Sequence, residues 1–163
     1  MSAKIRTPLC DALGIEHPII LAGMGVNGLA TPPALVAAVS AAGGLGVLGC
    51  SNLAPEEIRR RIREVRRLTD KPFGVDLLLP ATLAPAATTR SGVRRELEEK
   101  HAEHVAFYRG LLERFELTET PVQNDIVISS ELIDAQIDVT LEEHVPVFAA
   151  GLGDPARVTG RAK

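Results

Sequence analysis

The sequence predicts an α/β protein built on parallel βα repeats, either a sheet or a barrel. Short apolar runs that begin near residues 18, 45 and 73 recur about 27 residues apart, the length of a strand, a crossover helix and their turns. Segments with helical spacing fill the intervals between them. Composition agrees: 45% of the 163 residues are hydrophobic, yet there are only four phenylalanines, one tyrosine and no tryptophan, which suits aliphatic helices packed on a buried sheet.

Each element has its own signal. Thr7-Pro8, followed by Leu9, Cys10, Ala12 and Leu13 and closed by Gly14, combines a cap, a first-turn proline and a terminal glycine, and predicts a short helix at one end of the domain. Pro18 to Ala22 is a continuous apolar run between turn residues, the pattern of a strand buried on both faces. Thr31-Pro32-Pro33 begins the next helix, with Leu35, Val36, Val39 and Ala42 at helical spacing until Gly43-Gly44 stops it. Leu45 to Leu48 is the second strand. Pro55 opens a helix whose Ile58, Ile62, Val65 and Leu68 form one apolar stripe. Its other face carries Arg59, Arg60, Arg61, Arg63, Arg66 and Arg67 with Glu56, Glu57, Glu64 and Asp70 interleaved, which predicts a solvated face rather than a phosphate or nucleic-acid site. Pro72 to Pro80 is the third strand, with Asp76 its one charge.

The period then breaks. Ala81 to Thr89 is rich in alanine, proline and threonine and reads as a loop, and Ser91 to Phe115 reads as one long charged helix with a discontinuous apolar face. Residues from about 81 to 125 therefore form a helical excursion after the third strand, within one domain spanning 1–163. Glu131 to His144 is the returning helix, Val145 to Gly151 the fourth strand, and Gly153-Asp154-Pro155 the start of another helix that the polar residues after it do not complete.

Charge and cysteine content narrow the function classes. A net charge of −3 points neither to nucleic acid nor to an anionic membrane as the main partner. No apolar run approaches the ~20 residues of a membrane span. Lys4 and Arg6 are not followed by a leader-like apolar core before Asp11 and Glu16, so the expected location is cytoplasmic. Cys10 and Cys50 lie far apart without metal-ligand spacing and read as buried thiols in a reducing compartment. No nucleophile triad, zinc motif, P-loop or dinucleotide fingerprint occurs.

Glycine marks the candidate site. Ala22-Gly23-Met24-Gly25 and Gly43-Gly44-Leu45-Gly46-Val47-Leu48-Gly49 sit one helix apart, where backbone can approach a flat ligand closely. Pro18 to Gly25, Gly43 to Gly46, Asp70 to Leu77 and Val145 to Phe148, in this order and spacing, resemble the opening segments of the nitronate monooxygenase family, formerly called 2-nitropropane dioxygenase. The resemblance covers nearly the whole chain and about the first half of the family's usual length. It implies a TIM-type barrel, here a partial barrel of about four strands, that binds FMN at the carboxyl ends of its strands and takes a lid domain later in the sequence. It also implies oxidation of an alkyl nitronate to a carbonyl compound and nitrite, with molecular oxygen reoxidising the flavin. On the same resemblance, Ala22, Gly23 and Met24 place main chain and a thioether against the flavin ring. Asp76 stands where many members carry an asparagine that hydrogen-bonds the flavin; an aspartate accepts from a ring N–H but does not donate as an amide does.

Plainer readings stay open at this point. Gly23 and Gly25 also suit a tight turn, Met24 core packing, Asp76 a capped strand end, and Gly151 and Gly153 a helix-entry turn. Gly43, Gly44 and Gly46 read chiefly as a helix stop and close packing. The family's histidine base and phosphate loops belong to segments beyond Lys163, so no catalytic residue is assigned, and this chain alone is expected to be weak or inactive. His17, His101, His104 and His144 read as surface or packing residues. Another flavin-barrel enzyme, an enoyl reductase or the inosine monophosphate dehydrogenase type, and a non-catalytic remnant are the alternatives. Four strands also leave two open edges and an apolar inner face, which predicts marginal stability, aggregation or self-association.

Overall fold

Four parallel strands, β1 (Ile20–Leu21), β2 (Leu45–Gly49), β3 (Phe73–Leu78) and β4 (Val147–Gly151), pair in chain order. The computed structural model of the protein describes residues 5–25, 29–83, 89–119 and 126–162. A sheet that adds every strand on the same side, without reversing, has the order of a TIM-type barrel wall; a doubly wound sheet reverses at its switch point. The helices are α1 (Pro8–Leu13), α2 (Pro33–Ala41), α3 (Pro55–Leu68), α4 (Arg90–Lys100), α5 (Ala102–Arg114), α6 (Ser130–Glu142) and α7 (Ala156–Thr159). The chain divides into two units, residues 1–83 with 128–163, and residues 84–127.

Strand alternation divides the first unit's interior in two. On one face Leu48, Phe73, Val75 and Leu77 meet the apolar stripe of α3 (Ile58, Ile62, Val65) and Ile133 and Ile137 of α6. The other face carries Leu45 and Val47, closed at the amino end by Cys10 and Ile15 around α1. Gly14 ends α1 at φ 67° and Gly43 follows α2 at φ 91°, both in the left-handed region that glycine adopts readily.

Several sequence expectations are corrected. The first strand is not buried on both faces: it holds two residues at the sheet edge, and Ile19 and Ile20 are exposed because β1 pairs only with β2. Leu68 closes the predicted stripe of α3 but is exposed in the last turn. The long helix of 91–115 is two helices, since His101 leaves helical geometry (φ −134°, ψ 42°). The apolar positions Val93 and Leu97 are followed by Lys100, His101 and His104, so no stripe runs through the junction to hold one straight helix. Neither α4 nor α5 buries a residue. Of the predicted 81–89 loop, residues 84–88 lie outside the described residues.

The arginine face of α3 is more than a solvated surface. Arg60 and Arg61 pair with Glu57 as the interleaving implies, but Arg59, Arg63 and Arg66 converge on Glu143, which follows α6 and is buried. Glu143 Oε1 accepts from Arg59 Nη1 at 3.0 Å and Arg63 Nη2 at 2.8 Å, and Oε2 from Arg66 Nη1 at 3.0 Å. Arg66 also donates to the main-chain oxygens of Glu143 and His144, satisfying carbonyls left free at the end of α6.

Candidate functional site

The carboxyl ends of β1, β2 and β3 converge on Asp76. Its register partners are Gly49 on β2 and Ala149 on β4, all on the face away from the helices. A methyl placed on Gly23 would lie 2.7 Å from Asp76 Cβ and 2.9 Å from the Leu48 carbonyl oxygen. One placed on Gly49 would lie 2.7 Å from Met24 N, and one on Gly151 2.8 Å from Leu78 Cδ2 and 3.8 Å from Asp76 Oδ1. Gly23 and Gly49 thus let the Gly23–Met24 main chain pack against the ends of β2 and β3 where a larger residue would clash with backbone, and a methyl on Gly151 would lie in ordinary contact with the Asp76 carboxyl group.

Asp76 has no side-chain hydrogen bond or ion pair among the described residues, and burial raises its pKa above the ordinary carboxylate value. A capped strand end would show the opposite, because hydrogen bonds to a carboxylate stabilise its charged form. The carboxyl group is therefore poised to be neutral more readily than a surface aspartate and keeps its hydrogen-bonding capacity free. Met24 is not core filler, since 53% of it is exposed. Gly25 does make the predicted tight turn, with φ 93° and space for no Cβ beside Ala30 N.

Thr31 joins these pieces, and sequence reasoning treated it only as the start of a helix. It does not cap α2; Pro32 holds that position without a side-chain bond. Instead the Thr31 hydroxyl, wholly buried, accepts from Met24 N at 3.2 Å and Gly49 N at 3.1 Å and donates to Met24 O at 3.1 Å. The β2–α3 turn is held similarly. Cys50 N donates to Asp76 O, Ser51 Oγ accepts from Leu78 N at 3.0 Å, and Gln136 Nε2 donates to the carbonyls of Cys50, Ser51 and Leu53. Gln136 is buried, and its Oε1 has no partner among the described residues. Its position on the helix face gave no sequence signal, because a lone glutamine in an amphipathic helix reads as surface.

The remaining polar residues lie elsewhere. His17 donates its main-chain N–H to Gly43 O at the amino ends of the strands, His144 precedes β4, and His101 and His104 belong to the second unit. Gly151 and Gly153 flank Leu152, a non-glycine residue at φ 61°, and Asp154 Oδ1 accepts from Ala156 N at 2.9 Å to start α7. A Cβ on Gly153 would meet Leu79 O at 1.6 Å, so both glycines serve close packing as well as the turn. Burial pushes the Cys50 thiol up to about 12, which makes it an inert neighbour of the site rather than a nucleophile. No described helix is long and apolar enough to cross a membrane.

The fold defines a βα barrel-type protein in which Gly23, Gly49 and Asp76 gather at the carboxyl ends of parallel strands. The chain belongs to the nitronate monooxygenase family, whose profile matches residues 6–162. It is 32% identical over 150 residues to a probable nitronate monooxygenase of Staphylococcus aureus, covering 92% of this chain and 38% of that protein. Over 74 residues it is 43% identical to the (3aS,4S,5R,7aS)-5-hydroxy-7a-methyl-1-oxo-octahydro-1H-indene-4-carboxyl-CoA dehydrogenase of Mycobacterium tuberculosis, covering 45% of this chain and 20% of that one. Among solved structures, nitroalkane oxidase from Streptomyces ansochromogenes superposes with a TM-score of 0.64 at 26% identity over 96% of this chain and 39% of its own. FabK from Thermotoga maritima does so with a TM-score of 0.59 at 31% identity, over 94% and 33%. The chain spans less than two fifths of the length of these relatives.

Proposed function

We propose that this chain supplies the first strand ends of an FMN site in an oxidoreductase that converts alkyl nitronates to a carbonyl compound and nitrite with molecular oxygen. The observation that carries the reading is the Asp76 carboxyl group, without a side-chain partner among the described residues, set beside a cradle of close-packed main chain at Gly23 and Gly49. Such a cradle fits the edge of a flat ring held against backbone, and on that ground the residues present fit the flavin. Ala22 and Gly23 would hold it through main chain, Met24 through its exposed side chain, and Asp76 through a hydrogen bond that it accepts when ionised and donates when protonated. Bound FMN supplies the electron acceptor for the substrate and passes those electrons to oxygen. The chain's own residues bind and orient: the Met24 N–H and C=O are already engaged by Thr31, so that main chain is held and only the thioether is left to give. His17 and His144 precede β1 and β4, and His101 and His104 lie in the second unit, so no proton transfer from substrate is assigned to them. Domain extent and location follow the same reading: residues 1–163 form a portion of an FMN-binding barrel with its excursion near 81–125, in a cytoplasmic enzyme. The exposed Ile19 and Ile20 at the sheet edge favour association through β1.

The test is titration of the full-length apo-protein with FMN, followed by nitrite release from an alkyl nitronate under oxygen. Saturable binding with nitrite formation supports the proposal, and failure to bind FMN overturns it. The 43% identity over 74 residues to a CoA-thioester dehydrogenase favours one second reading, a flavin oxidoreductase acting on an acyl-CoA thioester. FMN binding without nitrite, together with thioester oxidation, would select it.

A further inference from the structure

We propose that Thr31 is a positioning residue for the ring-binding main chain, a role that rests on the FMN reading above. A hydroxyl group has one donor and two acceptor sites, and all three of Thr31's are used: Met24 N, Met24 O and Gly49 N. The three bonds join two loops that follow different strands. Residues 24 and 31 close the neck of the β1–α2 connection, where Gly25 and Ala30 also lie in backbone contact, and the bond to Gly49 ties that neck to the end of β2. The tied backbone is that of Gly23 and Met24, directly over Gly49 and beside Asp76.

The consequence is preorganisation. A loop ordered only by its ligand spends binding free energy on its own ordering, whereas one fixed beforehand does not. Thr31 has no exposed surface, so it holds the Met24 and Gly49 main chain without touching the ligand. Ser40, within α2, makes a comparable bond by accepting from Gly46 N at 3.1 Å, but it holds the helix-facing side of β2 and not the ring-facing loop.

The experiment compares the full-length wild type with Thr31→Val, which keeps shape and loses the hydroxyl, and Thr31→Ser, which keeps the hydroxyl. FMN affinity is read by quenching of flavin fluorescence, loop order by amide hydrogen exchange at Met24 and Gly49, and folding by thermal melting of the apo-protein. T31V should weaken FMN binding by about tenfold or more and shift the visible band of bound flavin, and T31S should return both to within about twofold of wild type. In wild type without FMN the Met24 and Gly49 amides should already exchange slowly, a measurement that stands even if T31V does not fold. Wild-type affinity in T31V, equal losses in T31S and T31V, a lowered melting temperature with unchanged affinity, or fast exchange of both amides in apo wild type each overturns the role of Thr31 and leaves the FMN reading intact. Absence of FMN binding by wild type overturns both.

Discussion

Gly46→Ala should separate packing from chemistry, because the steric conflict lies on the helix-facing side of β2 while its effect reaches the site. A methyl at Gly46 would lie 2.2 Å from the Val36 carbonyl oxygen and 2.8 Å from Val36 C and Cα. All three atoms are α2 backbone, so no rotamer change relieves the clash, and α2 must retreat from the sheet by about 1 Å. Gly46 does not use the left-handed region, so the penalty is steric and not conformational. Overpacking of this kind costs about 1–3 kcal/mol, occasionally more. Displacing α2 also stretches the bonds of Thr31, two residues before its first turn, each worth about 1 kcal/mol. Together they lower the melting temperature by roughly 5–15 °C for a chain of this size. Far-UV circular dichroism melts of wild type and G46A provide the assay. Gly110→Ala is the control: it lies inside α5 with nothing within 4 Å of an added methyl, and should stabilise its helix by about 0.5–1 kcal/mol. A G46A protein that melts within about 1 °C of wild type would refute the claimed contact.

Glu143 is held below the ordinary carboxylate range, first by hydrogen bonding from Arg63 and, against burial, by Arg59. Its stabilising contribution is therefore present above the unfolded value of 4.5 and lost as pH falls through the lower folded value, so E143Q should reduce the urea midpoint at neutral pH, with the difference shrinking as pH falls below 4.5. Asp76 has the opposite sign. Burial raises its pKa, so ionisation weakens folding as pH rises from 3.8 through the folded value, and D76N should melt higher than wild type at pH 7 with the advantage fading as pH falls toward 3.8. An unchanged D76N melt at pH 7 would show that the carboxylate has a partner. Cys10 and Cys50 are both free and wholly buried, so native protein should resist iodoacetamide, and mass spectrometry should find two adducts only after unfolding.

The elements were legible because each depends on local chemistry. Proline in the first turns of α1, α2 and α3, the Gly14 and Gly43 stops and the strand period are short-range signals. Burial of the first strand was not, since an apolar run cannot say whether its sheet continues on both sides. The same limit hid Glu143: its three arginines stand 77 to 84 residues away, and the sequence shows only that α3 is basic. Gly23 and Asp76 stood out by residue type and Met24 by the family resemblance, but Thr31 did not. A threonine before two prolines looks like a cap, and only tertiary structure turns its hydroxyl back toward the strand ends.

The run from Gly43 to Gly49 then resolves into glycines with different physical reasons. Gly43 takes a left-handed conformation that releases the chain from α2, and Gly46 admits the α2 backbone. Gly49, an odd number of residues further on, faces the other side of the sheet and admits the Gly23–Met24 backbone. Strand parity enforces that division: sliding β2 by one residue against β3 would turn Gly49 toward the helices and Leu48 toward Asp76, putting a leucine side chain where the Gly23–Met24 backbone packs. Register is therefore a constraint on the proposed site as well as on packing. The close contact at Gly46 pins it from the helix side, and the Thr31 hydroxyl pins it from the side of the proposed ligand.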